Sequence, residues 1–200
     1  MRQKKPQERK EEIRKAAIEV ISKEGFHGAT TDKIAEVAGV SVGTIYNYFD
    51  NKGEILSYIF KAEVEKLNQF FQNLSGKQVS TEERIYLFLE EYFNRMIENR
   101  QKAKLLLDES HRPSREVSAA IFNYVNSLRK CLKNFLMEGV KTGQVNAKME
   151  IDIMAGMIIG AADSIVVKSF YSDGNINDLF ARAPEDIFEM LRHGIFEGED

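Results

Sequence analysis

The chain is predicted to be all-α, about nine helices arranged as a small three-helix unit over residues 1–52 and a larger helical bundle over residues 53–200. Three observations carry this reading. Apolar residues recur three and four positions apart along almost the whole length, the spacing that paints one stripe on a helix. No alternating β-branched run bounded by hairpin residues appears. Three prolines and 13 glycines in 200 residues are too few turn-formers for a many-stranded sandwich. With 43% hydrophobic residues, the chain has enough apolar surface to bury a core.

The first helix is marked by Ile13, Ala16, Ala17, Val20 and Ile21, with Gly25 placed to end it in a left-handed cap. Thr30-Thr31 caps a short second helix through Ala38, and Gly39 stops it. Ser41 caps a short third helix through Phe49, broken by Asp50-Asn51. A fourth runs from Lys52 to Ser75-Gly76 on Ile55, Ile59, Leu67, Phe70, Phe71 and Leu74. From Thr81, the residues Ile85, Phe88, Leu89, Tyr92, Phe93, Met96 and Ile97 keep the same spacing. Lys102–Glu109 makes a shorter helix, interrupted at His111-Arg112-Pro113. A long helix follows from Ser114 to Lys141, then an apolar one from Ile151 to Phe170 and a turn at Tyr171–Gly174. The last helix covers Pro184–Phe196, with Pro184 in its first position; an earlier start near Asn177, with a proline kink, stays open.

Charge is unevenly spread. Residues 1–15 hold seven cations and three anions, a net +4, which leaves −7 on the rest of a chain whose total is −3. A basic end on an acidic body suits a face that meets a polyanion. The single Cys131 excludes an intramolecular disulfide and fits a reducing cytoplasm. The N-terminus has no apolar stretch behind its basic residues, so no signal peptide is expected. No apolar run is expected to reach the ~18 residues of a membrane span, because the best candidate contains Asp152 and Asp163.

Two short helices joined by Gly39-Val40, with a third behind them, follow the helix-turn-helix plan. Winding the third helix at about 100° per residue puts Ile45, Phe49 and Val42 on one side. There they face Ile34, Ala35, Ala38, Val40, Val20 and Phe26. Gly43 and Asn47 then point outward, with Thr44 and Tyr46 on the flanks. Gly43 lets the backbone approach a groove floor, and the Asn47 amide offers the donor and acceptor that read adenine. The hydroxyls of Thr44, Tyr46 and Tyr48 reach towards phosphates on either wall. Lys52, at the start of the next helix, joins a cation to free backbone N–H groups and is expected to hold a phosphate.

The series Thr31, Ile34-Ala35, Ala38-Gly39-Val40-Ser41, Gly43-Thr44-Ile45-Tyr46-Asn47-Tyr48-Phe49, Lys52 and Ile55-Leu56 resembles the DNA-binding domain of the tetracycline-repressor (TetR) family in residue type and spacing. The resemblance spans roughly residues 10–56. It implies phosphate contacts at Thr31, Ser41, Thr44, Tyr46, Tyr48 and Lys52, and base contacts at Val42, Gly43 and Asn47. It also implies a dimeric regulator that binds a palindromic double-stranded DNA operator as a repressor and is released by a small, largely apolar effector. A helical adaptor without DNA binding is the alternative.

For the effector pocket the central helices offer Phe88, Tyr92, Met96, Leu106, Phe122, Val125, Asn126 and Arg129, an aromatic and methionine-rich set that suits an apolar ligand. The stretch Glu138–Val145, with Asp152, Ile158-Ile159-Gly160 and Asp163, resembles fatty-acyl-CoA-responsive members of the family. That resemblance implies an acyl-CoA effector, with Arg129 or Lys133 meeting its phosphates. Small residues at four-residue spacing in Met154–Ala162 suggest a symmetric homodimer interface. The residues expected there are Ala155, Ile159, Ala162 and Val166, together with Met190 and Leu191 of the last helix.

Catalysis is not expected. His27, His111 and His193 lie far apart and show no metal-ligand spacing. Cys131 sits on an apolar helix edge. Glu82-Glu83 and Glu90-Glu91 read as solvated faces, and Gly156-(x)3-Gly160 lacks the lysine and preceding strand of a phosphate loop. No cofactor is implied.

Overall fold

The computed structural model describes residues 5–146, 148, 150–171 and 176–192. Among them are nine α-helices and no β-strand: α1 (Pro6–Gly28), α2 (Thr31–Ala38), α3 (Val42–Tyr46), α4 (Lys52–Ser75), α5 (Thr81–Glu98), α6 (Arg100–His111), α7 (Ser118–Lys141), α8 (Ile151–Phe170) and α9 (Ile176–Arg192). A single 3₁₀ turn, Arg115–Val117, leads into α7. The all-α expectation holds. Part of the basic end (residues 1–4), most of the turn expected at Tyr171–Gly174, and the expected extension of the last helix beyond Arg192, with His193, lie outside the described residues.

The chain forms two compact units, Met1–Glu65 with Gln101–Tyr124, and Lys66–Arg100 with Val125–Asp200. In the first, Ile13, Ala17, Ile34, Ile45, Ile55 and Leu56 are at most 0% exposed, and Phe60 meets Tyr124 edge-on at 5.5 Å. The predicted stripe of α1 is buried in full. Gly25 does take a positive φ, 73°, but its ψ of 164° is extended rather than left-handed, and a further turn of helix is assigned beyond it. Buried within this unit, Glu63 and Lys102 face each other at 3.4 Å.

In the second unit α5, α8 and α9 pack together around Phe88, Leu89, Phe93, Met154, Ile158 and Ala162. The rings of Phe93 and Phe180 lie 5.5 Å apart, and Phe71 stacks on Phe88 at 6.3 Å. The Tyr92 hydroxyl donates to the Asp163 carboxylate. Helix α9 continues through Pro184, and Phe180, Ala183, Pro184, Ile187, Phe188 and Leu191 make one buried stripe along it. Packing of that stripe outweighs the roughly 3 kcal/mol that an interior proline costs. The helix therefore starts well before Pro184.

By length and composition α8 is long and apolar enough to cross a membrane, contrary to the sequence expectation. Its two aspartates are too few to break a 20-residue apolar stretch, and they are satisfied inside the unit: Asp163 by Tyr92, Asp152 by Lys133 at 2.6 Å. A third of the helix's most apolar window is buried within the chain.

The Glu138–Val145 stretch has a structural explanation of its own. Gly143 (φ 74°) turns the chain at the end of α7, and Gln144 and Val145 donate their N–H groups to the Gly139 carbonyl. The Gln144 side-chain oxygen accepts from the Thr81 N–H at 2.8 Å, and the Glu138 carboxylate accepts from Arg84. The turn thus locks onto the start of α5. A Cβ at Gly139 would lie 2.5 Å from Val145 Cγ2 and 2.7 Å from Thr81 Cγ2. Gly139→Ala is expected to destabilise the protein by about 1–3 kcal/mol through overpacking, despite alanine's better helix propensity. Urea unfolding checks this, and a midpoint at or above the parent's would contradict the lock.

Candidate nucleic-acid interface

Helix α3 is only five residues long and depends on its caps. The Ser41 hydroxyl accepts the Thr44 N–H at 3.1 Å, and the two side-chain hydroxyls are 2.8 Å apart. Ahead of it, the Thr30 hydroxyl accepts from Lys33 N–H, and Gly39 ends α2 in the left-handed conformation (φ 64°, ψ 38°). That conformation turns the chain between the two helices at little steric cost only for glycine. The predicted third helix runs to Phe49, whereas the regular α-helix stops at Tyr46. Tyr48 and Phe49 both return their N–H groups to the Ile45 carbonyl, a tightened last turn that lowers Phe49 into the core.

The helical wheel agrees with the inward side for Ile45, Phe49, Ile34, Ala35, Val20 and Phe26, all buried; Val42, Ala38 and Val40 are half-buried. On the outward side Ser41, Gly43, Tyr46 and Asn47 are exposed, while Thr44, Tyr48 and Thr31 are half-buried around them. Tyr46 is 52% exposed, the largest open side chain of α3, and its hydroxyl lies 3.4 Å from that of Thr31. The two hydroxyls, 15 residues apart in sequence, thus share one edge of a single face.

Gly43 leaves the middle of this face open. Its backbone is helical, and an added Cβ would meet only the Ser41 hydroxyl, at 3.8 Å. Nothing in the chain needs glycine there, although glycine inside a helix costs roughly 0.5–1 kcal/mol.

Lys52 departs from expectation. Its ammonium is turned into the protein, donating to the carbonyls of Phe26 and, at 2.7 Å, of Ala29. It also lies 4.4 Å from the centre of the Phe26 ring. The break between α1 and α2 leaves these carbonyls without helical partners, and the ammonium supplies the donor. The basic end is also less free than its count suggests, since Arg9 pairs with Glu12 at 2.8 Å and Arg14 with Glu11 at 2.9 Å. Sequence reasoning missed Tyr58. Its hydroxyl bonds Gln7 and Glu11 across α1, and Lys10 lies 5.7 Å from its ring and 5.5 Å from that of Phe49. Helical spacing carries no signal for a contact between residues about 50 apart.

The expected effector-pocket residues do not share one interior face. Phe88, Tyr92 and Met96 are buried on α5 and Leu106 is buried on α6. Phe122 (64% exposed), Asn126 and Arg129 lie on the solvent side of α7, and Val125 is at the margin. The inward stripe of α7 is Ile121, Tyr124, Leu128, Leu132 and Phe135 instead, one residue out of phase with the expected set. The expected dimer residues need a similar correction. Ala155, Ile159, Ala162, Val166 and Leu191 are buried within the chain, and only Met190 is exposed. A helix apolar all round does not reveal from its sequence which face its own subunit takes. The open face of α8 is Ile153, Gly156, Met157, Gly160, Ser164 and Val167.

No three metal-ligating side chains cluster among the described residues. Burial pushes the Cys131 thiol far above its ordinary range, which keeps it protonated and unreactive. The Tyr86 phenol is also raised, first by burial and then by the carboxylates of Glu90 and Glu185.

A capped, uncharged, glycine-bearing helix presented beside α2 defines a helix-turn-helix DNA-binding regulator. The family model described as bacterial regulatory proteins, tetR family, matches residues 13–59, and that of the YsiA-like protein C-terminal region matches residues 60–194. The chain belongs to the TetR family. It is 30% identical, over 98% of both chains, to the fatty acid metabolism regulator protein of Bacillus subtilis (strain 168). Among solved structures, the fatty acid degradation regulator FadR of Bacillus halodurans superposes with a TM-score of 0.82 at 25% identity, covering 96% of this chain and 98% of that one. FadR of Bacillus subtilis in complex with stearoyl-CoA gives 0.75 at 27% identity, covering 90% and 96%. The protein is thus a transcriptional regulator rather than an enzyme or a DNA-blind adaptor.

Two substitutions test the face. Gly43→Ala is expected to raise the melting temperature, gaining roughly 0.5–1 kcal/mol, while weakening operator binding. Unchanged operator affinity would show that no partner approaches there. Asn47→Ala should relax preference at one base position, worth roughly 1–3 kcal/mol. Selection from random duplexes that returns the parent consensus would remove Asn47 from base reading.

Proposed function

We propose that the protein is a homodimeric repressor that holds a palindromic operator and releases it when a long-chain acyl-CoA binds. The observation that carries the effector is the near full-length likeness to a fatty acid metabolism regulator, joined to a structural relative that holds stearoyl-CoA. The protein acts in the cytoplasm, where the operator lies. Residues 1–52 form the reading head, with Thr31, Ser41, Thr44, Tyr46 and Tyr48 on phosphates and Val42, Gly43 and Asn47 towards bases. Residues 53–200 take the effector and the partner subunit. The acyl chain lies in the aromatic interior around Phe88, Tyr92 and Met96, which are buried on one face of α5.

Two heads on a two-fold axis require half-sites about 34 Å apart, or a multiple of that. The dimer face that fits is the open stripe of α8 with Met190 of α9. Among the described residues, an added Cβ at Gly156 or Gly160 would meet nothing within 4 Å, so their missing side chains serve close approach by a second helix. An effector acts only by binding the two states unequally. Stearoyl-CoA is therefore expected to raise the melting temperature and abolish the gel shift of a selected operator duplex. Stabilisation with the gel shift unchanged would reject acyl-CoA as the effector. Met157→Glu is expected to give monomers in sedimentation and to lose most operator affinity; a dimer that survives it places the interface elsewhere.

A further inference from the structure

The first turn of α4 is held from three directions. Lys52 reaches back to the carbonyls of Phe26 and Ala29, which flank the passage from α1 to α2. The exit of α3 is tied to the same turn: the Asp50 N–H donates to the Glu54 carboxylate at 2.6 Å, and the Glu54 N–H to the Asn51 side chain at 3.0 Å. On another side the Gly53 backbone lies close to the 3₁₀ turn before α7, where an added Cβ would be 3.4 Å from Glu116 Cβ and 3.6 Å from Val117 Cγ1. All these residues belong to one compact unit.

The chemistry at Lys52 suits this joint. The last carbonyls of α1 have no helical partner, and the end of a helix that carries them favours a positive charge. A compact ammonium can donate to two carbonyls at once while lying over the Phe26 ring, which is 5% exposed. Two of the three ammonium N–H groups are committed to these carbonyls, and hydrogen bonds to charged groups are the strong kind.

We infer that Lys52 is a positioning residue and not a DNA ligand: it clasps the α1–α2 turn to α4 and so sets the angle at which α2 and α3 meet the groove. This rests on the reading of the α2–α3 face as the operator surface. A clasp predicts that losing Lys52 disorders the register of the head without changing how many phosphates it neutralises.

The test uses the full chain, an operator duplex that the parent protein selects from random sequence, and a scrambled duplex of the same length. Lys52→Met keeps the apolar stem and removes the charge; Lys52→Arg keeps the charge but not the compact head. For both, melting temperature is expected to fall. The operator-to-scrambled affinity ratio, measured well below melting, should drop about tenfold, what one charge-assisted hydrogen bond carries. The slope of affinity against salt should stay at the parent value. A slope reduced by about one per subunit, with both duplexes weakened alike and melting unchanged, overturns the clasp in favour of a phosphate contact. Unchanged ratio and melting overturn it as well. A third measurement needs no variant: acetylation of lysines in the parent protein, read by mass spectrometry. Lys52 protected without DNA supports the clasp, and Lys52 reactive when free but protected by operator overturns it. Should the parent select no duplex, the operator reading fails, while melting and acetylation still decide the clasp.

Discussion

Five residues make less than a turn and a half of helix, and a segment that short has no stability of its own in water. Everything α3 presents to a groove therefore depends on two buried side chains, Ile45 at 0% and Phe49 at 2% exposed. Each contributes roughly 1.5–3 kcal/mol by leaving water. The caps at Ser41 and Gly39 fix where the helix starts and how the chain enters it. The tightened turn onto the Ile45 carbonyl lets Phe49 reach the core only three residues after the helix ends. The face opposite is left with hydroxyls, one amide and one bare backbone position. Rigidity on the inner side is what holds that sparse outer side in place.

The same economy recurs in the glycines. Gly39 is there because the chain must turn left-handed, Gly139 because Thr81 and Val145 leave no room, and Gly43, Gly156 and Gly160 for neither reason. The last three stand on open faces in regular helix, where glycine lowers stability. Their absence of a side chain is useful only to something outside the subunit. The two faces so marked, one on α3 and one on α8, are the ones the proposed function gives to DNA and to a second copy.

Much was legible in the residues. Period and capping give nearly every helix, because a stripe at three and four residues and a hydroxyl N-cap are local physics. Which face of α3 is buried was legible for the same reason: its two sides differ sharply in polarity, so one wheel orients it. The wheel fails where polarity does not discriminate. Around α8 and along α7 apolar residues occupy several faces. The set Phe122, Asn126 and Arg129 proved solvent-facing and the set Ala155, Ala162 and Val166 proved interior.

By itself, then, the order of side chains determined the helices, their caps, and the one surface whose two sides differ in kind. Only the folded chain decided which apolar face each bundle helix keeps for its own subunit, that Pro184 is carried inside a helix by the stripe beneath it, and that the ammonium of Lys52 turns inward. Each of those depends on partners tens of residues away in the chain. Local periodicity is blind to them, because it records what a residue is and not which carbonyl or ring the fold brings to it.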